Sequence, residues 1–475
     1  MKLNSFFLFV LISSISFSAP SPLQKEIDSI LQPSKHSDLD IGIYVVSLNS
    51  NQVVYEKNPD SLLVPASVNK VLTSYTALKK LKPTSTFKTY LYSTGSKSNG
   101  KLAGDIFIKG GGDPSLVSER MWMLVNDFLR SGITTIMGNI IADASFYDLE
   151  RTPESRPKYL KDQAYNAPIG ALSFNFNTTT IYIKPGDKVG EAPVVYIDPQ
   201  NPYIDIVNQA KTGKAGSSNT VQANRTDFVK GDIGDTVLLR GSIPVDAKEV
   251  RFYRNIVNPS LYTAHMFKNF LEQRGVKVEG KILEGTVPTH AKLLVEFDSL
   301  PLWQVVWGMN KFSNNFVADQ ITKKIGAEMW GAPGTLQKGI TSIEDALEDI
   351  GIKRKSYQIK DGSGLTRNTK VTAKQIVTVL KAAHKDFTIS AEFEASLGVG
   401  AEDGTLKNRF FATKNFGTVR AKSGSLDGVN ALAGYASTKQ GDLIAFAIIL
   451  NDMKVKYGKM TGWIDQVVTA LCKNM

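Results

Sequence analysis

Cysteine is all but missing from this chain. Cys472 is the single one among 475 residues, so no intramolecular disulfide can form and stability has to come from packing. Histidine is almost as scarce. His36, His265, His290 and His384 stand far apart, with neither the paired spacing nor the His-Glu-x-x-His run of a catalytic zinc site. No metal and no cofactor are expected. A Gly-x-Ser-x-Gly elbow is absent too, which disfavours a Ser-His-Asp triad built on that turn. Gly275 to Lys281 nearly spells a phosphate-binding loop, but Ile282 stands where the hydroxyl belongs.

Long apolar runs are missing beyond the first residues. Met1 to Ala19 carries Lys2 as its only charge, an apolar centre over Phe6 to Ile12 and small residues from Ser16. The stretch reads as a signal peptide of an exported protein, bound for the periplasm or the extracellular space. Its apolar centre is short for a membrane anchor. The net charge is +11, from 56 basic and 45 acidic residues, and the basic ones are scattered. Without a basic aromatic motif, nucleic acid is not an expected partner. The surplus suits solubility and leaves open a weak association with anionic membrane or wall polymers.

What is present is organised around Pro65-Ala66-Ser67-Val68-Asn69-Lys70. Pro65 suits a helix start, where its missing N–H costs nothing. Val68, Val71, Leu72, Tyr75 and Leu78 recur at helical spacing, so one face is buried. Ser67 and Lys70 are three apart and share a face. Ser67 would sit where free N–H groups favour developing negative charge, and an amine one turn away can serve it as a base. Ser-x-x-Lys is weak by itself, since about two matches arise by chance in a chain this long. Ser85-Thr86-Phe87-Lys88 is such a decoy. Ser67 as a capping hydroxyl and Lys70 as a solvated lysine are the plain alternatives.

The length calls for two or three domains. Ile41 to Leu48 and Gln52 to Glu56 read as a hairpin before the Ser67 helix. From 87 to 299 the texture is short strands broken by Gly, Asn, Asp and Pro, with helices at Ser118 to Arg130 and Pro259 to Arg274, so this block is expected to be one or two inserted β-rich domains. Lys211 to Asn224 is Gly/Ser-rich and is expected to be a mobile loop. Helices return at Leu302 to Gly326, Thr335 to Leu347 and Thr372 to Ala383. Strands are expected near Thr418 to Ser425 and Leu443 to Asn451, then a helix over Thr461 to Leu471. Residues 20–86 and 300–475 are thus expected to form one α/β domain split by the insertion.

Two further motifs fall in the last part. Ser313-Asn314-Asn315 carries Ser-x-Asn, a pattern with decoys at Ser47, Ser173 and Ser217. Lys422-Ser423-Gly424 lies on a predicted strand. Lys211-Thr212-Gly213 is its decoy, set aside because its Gly/Ser surroundings offer no rigid strand edge. The three pieces in this order resemble the penicillin-recognising serine enzymes, with Ser-x-x-Lys, Ser-x-Asn and Lys-Thr/Ser-Gly. The 246-residue gap from Ser67 to Ser313 is similar to that of the low-molecular-mass class C penicillin-binding proteins, the D-alanyl-D-alanine carboxypeptidases/endopeptidases, and far too long for a β-lactamase. Gly110 to Leu116, Ala171 to Asn177 and Asp361 to Arg367 extend the likeness from about Ile41 to the C-terminus. Ser423 departs from the commoner threonine and keeps the hydroxyl.

The resemblance implies a penicillin-binding fold and acyl transfer to Ser67, with Lys70 taking its proton and Ser313 relaying one to the leaving D-alanine. Asn315 would hold Lys70 and bond the substrate amide. Lys422, Ser423 and Ser425, around Gly424, would bind the terminal carboxylate, and the N–H groups of Ser67 and Ser425 would form the oxyanion hole. Asp143 with Phe146, and Arg367, would grip the peptide's diamino-acid side chain, against the plainer readings of a turn aspartate and a surface arginine. Substrates would be peptidoglycan stem peptides ending in D-Ala-D-Ala, and β-lactams covalent inhibitors. A non-catalytic wall-binding scaffold and a β-lactamase are the competing functions.

Overall fold

The computed structural model describes residues 21–31, 39–156, 162–226, 234–411, 418–452 and 457–475. The expected signal peptide and His36 lie outside them. One sheet is made from both ends of the chain. Its strands are β1 (Asp40–Ser47), β2 (Val53–Lys57), β3 (Gly398–Val399), β4 (Val419–Leu426), β5 (Val429–Ser437) and β6 (Leu443–Asn451). They lie in the order β2-β1-β6-β5-β4-β3, and every neighbour is antiparallel.

The side-chain alternation of these strands builds two cores. Val46, Ala431, Ala433, Ala445, Ala447 and Ile449 point to one face and pack with helices α2 (Lys70–Leu81), α3 (Leu302–Lys311), α4 (Asn315–Trp330) and α5 (Ala373–Lys385). Ile43, Val45, Leu432, Ile444, Phe446 and Ile448 point to the other, against α1 (Pro22–Leu31) and α6 (Tyr457–Asn474). A sheet covered on both faces explains why β6 reads as an unbroken apolar run. No helix among the described residues is long and apolar enough to cross a membrane.

None of these strands comes from residues 88–298. That middle segment has a core of its own, around Phe128, Phe174, Tyr262 and Phe267, and sheets of its own. The largest has five strands and pairs Lys88–Ser93 with Lys292–Asp298. The segment's first and last strands are therefore neighbours, and Ser299 N donates to Phe87 O at 2.8 Å where the chain returns.

Three expectations need correction. The helix expected over Leu302 to Gly326 is two helices, broken at Phe312–Asn314 because Ser313 takes a left-handed φ of 56° and Asn314 caps α4 by accepting from Val317 N at 3.1 Å. The expected pair of C-terminal strands has a third between them, β5. Its Ala- and Gly-rich sequence carries little β signal, and the reason is crowding: a Cβ on Gly434 would stand 2.1 Å from Arg420 O. Finally, Lys211 to Asn224 is not all loop. Lys211–Gly213 pairs in parallel with Ser242–Pro244, and a strand begins at Gln222. The Lys-Thr-Gly decoy therefore does lie on a strand, but with Lys211 exposed, in a sheet of the middle segment.

Candidate active site

Ser67 stands in a 3-10 turn, Ala66–Asn69, that leads straight into α2. Ala66 adopts a φ of 48°, a conformation that is costly for a residue with a side chain and is held here by its surroundings. Two glycines press on the turn. A Cβ on Gly364, itself at φ +74°, would meet Ala66 O at 2.0 Å, and one on Gly424 would meet Pro65 O at 2.5 Å. The Gly424 contact puts β4 against the Ser67 turn. β3 pairs with β4 only at Arg420 and Ala421, so among the described residues no strand covers the outer edge of β4 from Lys422 onward.

Lys70 is fully buried on the same turn. Its Nζ meets Ser67 Oγ at 3.0 Å, Asn315 Oδ1 at 2.7 Å and Ser363 O at 2.7 Å. Asn315 Nδ2 donates to Tyr165 O at 2.9 Å, which fixes its oxygen toward the lysine. Burial brings the Lys70 ammonium down to about 7, opposed by Asp319 and Asp361 and helped by Arg156. Lys422 is equally buried. It donates to Ser313 Oγ at 2.9 Å and Ser423 O at 2.7 Å, and among the described residues no carboxylate pairs with it. Burial and then the nearby Lys70 hold it well below the usual lysine range. Ser423 Oγ donates to Thr405 Oγ1 at 2.7 Å, while Ser425 is exposed.

The three motifs thus meet, through Ser67–Lys70–Asn315 and Ser313–Lys422. The structure does not join Asp143 to Arg367. Asp143 is buried; its Oδ1 accepts from Ser145 N and its Oδ2 from Val287 N, both at 2.9 Å, with Lys109 Nζ 3.7 Å away. That is the bonding of a turn aspartate, the plainer of the two readings. Phe146 stacks on Tyr147 and lies under Lys324 Nζ at 4.9 Å. Arg367 is exposed and donates to Asp427 O, in the turn that follows β4.

Sequence reasoning missed Asp319, Arg156, the Ser363 carbonyl and the Tyr165 carbonyl. Only Asp319 left a signal, four residues after Asn315 on the same helix face. The two carbonyls belong to the backbone, and Arg156 comes from far along the chain.

A hydroxyl on a strained turn, a desolvated amine bonded to it and an open strand edge alongside are the parts of a serine enzyme that works without histidine. Comparison with known proteins places this more narrowly. The chain belongs to the D-Ala-D-Ala carboxypeptidase 3 (S13) family, whose model matches residues 23–469. It is 32% identical over 449 residues to a D-alanyl-D-alanine carboxypeptidase of an Actinomadura strain, covering 90% of this chain and 81% of that one. Its fold is similar to a crystal structure of penicillin-binding protein 4 from Haemophilus influenzae, with a TM-score of 0.80 at 23% identity over 94% of this chain and 99% of that one. A second crystal structure of that protein, complexed with a β-lactam, gives a TM-score of 0.76 at 24% identity over the same shares. The reaction class is that of a serine-type D-alanyl-D-alanine carboxypeptidase on a penicillin-binding fold.

Proposed function

We propose that Ser67 is the nucleophile and Lys70 its base in a carboxypeptidase reaction on peptidoglycan peptides ending in D-Ala-D-Ala. The observation that carries this is the set of partners on Lys70 Nζ. Asn315 Oδ1 and Ser363 O can only accept, so they take the two hydrogens of a neutral amine. The remaining lone pair then faces Ser67, 3.0 Å away. Ser67 Oγ attacks the carbonyl of the penultimate D-alanine as its proton passes to Lys70. The N–H groups of Ser67 and Ser425 receive the oxyanion, each worth about 3–4 kcal/mol. The C–N bond breaks as Ser313 relays a proton to the departing amine, and water hydrolyses the acyl-enzyme.

Lys422 is the seat of the substrate's terminal carboxylate, with the Ser423 and Ser425 hydroxyls beside it. A buried ammonium with only neutral partners gains most from an incoming anion. Charging Lys422 in this way pushes Lys70 toward its neutral form. The uncovered edge of β4 suits an extended peptide that pairs as an added strand. Asn315 keeps one Nδ2 hydrogen for the substrate amide, the other being on Tyr165 O.

Cleavage of D-Ala–diamino-acid cross-links at the same serine, export directed by residues 1–19, and a catalytic domain split by an inserted 87–299 block belong to the same proposal. The test is to incubate the chain with a fluorescent penicillin, weigh it intact, and follow D-alanine release from a D-Ala-D-Ala peptide. A stable adduct on Ser67 together with released D-alanine is expected. Folded protein that forms no adduct would favour a scaffold, and rapid turnover of the drug would favour a β-lactamase.

A further inference from the structure

Behind Ser67 and Lys70 lies a layer of charge for which the reaction above has no use. Asp319 sits one turn after Asn315 on α4 and is wholly buried. Its Oδ1 accepts from Gly362 N at 2.9 Å and its Oδ2 from the guanidinium of Arg156. Arg156 comes from the middle segment and is itself buried. Its Nη1 donates to Asn166 Oδ1 at 2.9 Å, and its Nη2 reaches Ser363 Oγ at 3.5 Å. Ser363 donates that hydroxyl to Asp361 Oδ2 at 3.1 Å, while its carbonyl is the one that holds Lys70. Thr366 Oγ1 donates to Ser155 O at 3.2 Å and ties down the residue before Arg156.

The charged and titratable groups around Lys70 are therefore Asp319 from α4, Asp361 from the 361–364 turn, Lys422 from β4 and Arg156 from the middle segment. Two buried carboxylates beside one lysine would hold it protonated and useless as a base. Arg156 stays charged at any working pH and occupies Asp319.

We propose that Arg156 is a positioning residue for acyl transfer, supplied by the middle segment: by pairing with Asp319 and bracing Ser363 it keeps Lys70 aimed at Ser67 with a free lone pair. The inference rests on the Ser67–Lys70 reading above. It agrees with the directions in which the neighbours act on Lys70, Asp319 and Asp361 upward and Arg156 downward. It also gives the middle segment a part in the chemistry besides any part in binding substrate.

The test is the rate of acylation by a fluorescent penicillin between about pH 5 and 9, on the full chain. Arg156→Gln leaves Asp319 facing Lys70 without its partner. The acid limb should move up by about one pH unit or more, which reads as a roughly tenfold slower reaction near pH 6. Arg156→Lys should bring the limb part of the way back. Asp319→Asn keeps the shape, removes an anion and should move the limb the opposite way. A limb unchanged in Arg156→Gln would overturn the proposal. So would a uniform fall at every pH, or a shift of the same sign in Asp319→Asn. Should Arg156→Gln not fold, Arg156→Lys and Asp319→Asn decide, and wild-type limbs in both would overturn it. Labelling that persists in Ser67→Ala overturns the acyl-enzyme reading and this proposal with it. An unlabelled Ser67→Ala beside a wild-type limb in Arg156→Gln overturns this proposal alone.

Discussion

Lys422 and Asp143 are both wholly buried ionisable groups, and their surroundings differ in kind. Lys422 bonds a serine hydroxyl and a backbone carbonyl, neither of which carries charge. Asp143 has a backbone N–H on each oxygen and a lysine within reach. A buried charge left with neutral partners is poised to take a counter-ion or to give up its proton. A carboxylate whose oxygens both hold backbone fixes a loop and has little left for a ligand. The sharpest break of the comparison is at the proposed nucleophile. Ser67→Ala should abolish the penicillin adduct and lower D-alanine release by roughly 10⁶-fold, the scale seen when another serine hydrolase loses its nucleophile. Intact-mass analysis and a D-alanine assay read both.

Lys422→Ala comes next. It removes the cation proposed to receive the terminal carboxylate, so kcat/KM on a D-Ala-D-Ala peptide should fall by about 10²–10³-fold, the range for losing one partner of a buried charge pair. The same variant should lose much less on the peptide amide, which has no carboxylate to offer. Equal losses on acid and amide would show that Lys422 only shapes the strand.

The wild-type pH dependence sharpens the contrast from the side of Lys70. As the proposed base for Ser67, Lys70 would have to be neutral, and burial brings it to about 7. Acylation by penicillin should therefore rise with pH through about 7 and level off above it. An ordinary lysine would put the rise more than three units higher. Stopped-flow acylation rates measure it, and a rise confined to alkaline pH would remove Lys70 from the role of base.

At the Asp143 corner the expected effect is on stability. Asp143→Ala removes the acceptor of the Ser145 and Val287 N–H groups, two part-buried hydrogen bonds each worth about 1 kcal/mol. The urea midpoint should drop while the folded fraction is acylated by penicillin at close to the wild-type rate. A large loss of acylation at unchanged stability would reverse the assignment of this corner.

The two corners were also unequally legible. Ser67, Lys70, Ser313, Asn315 and Lys422 carry side-chain chemistry at short fixed spacings, so linear motifs point to them, and strand and helix periodicity placed all but Ser313 on their elements. The same periodicity ran through Phe312–Asn314, because a left-handed serine leaves no mark on an apolar pattern. Small residues hid β5, since its tight packing removes the bulky side chains by which strands are recognised. Asp143 was ambiguous for a related reason: an aspartate before Ala-Ser-Phe looks the same in sequence whether its oxygens face a substrate or its own turn. Arg156 had no local signal at all, because its partner Asp319 is 163 residues away along the chain.

Arg367 lies between the two kinds of group, and the smallest effect is expected there. Its guanidinium is exposed and donates to Asp427 O beside the end of β4, close to where a peptide on that edge would pass. Water screens it, so its pull on a bound charge is that of a rim residue, worth about 1 kcal/mol or less. Arg367→Ala should raise KM by no more than about fivefold for a stem peptide whose diamino acid bears a free carboxylate. The change should vanish for a peptide with lysine at that position, and acylation by penicillin should stay as it was. If both peptides lost alike, Arg367 would be acting through the Asp427 turn on the strand edge itself, and the boundary between substrate-facing and backbone-holding groups would have to be drawn one residue closer to Ser425.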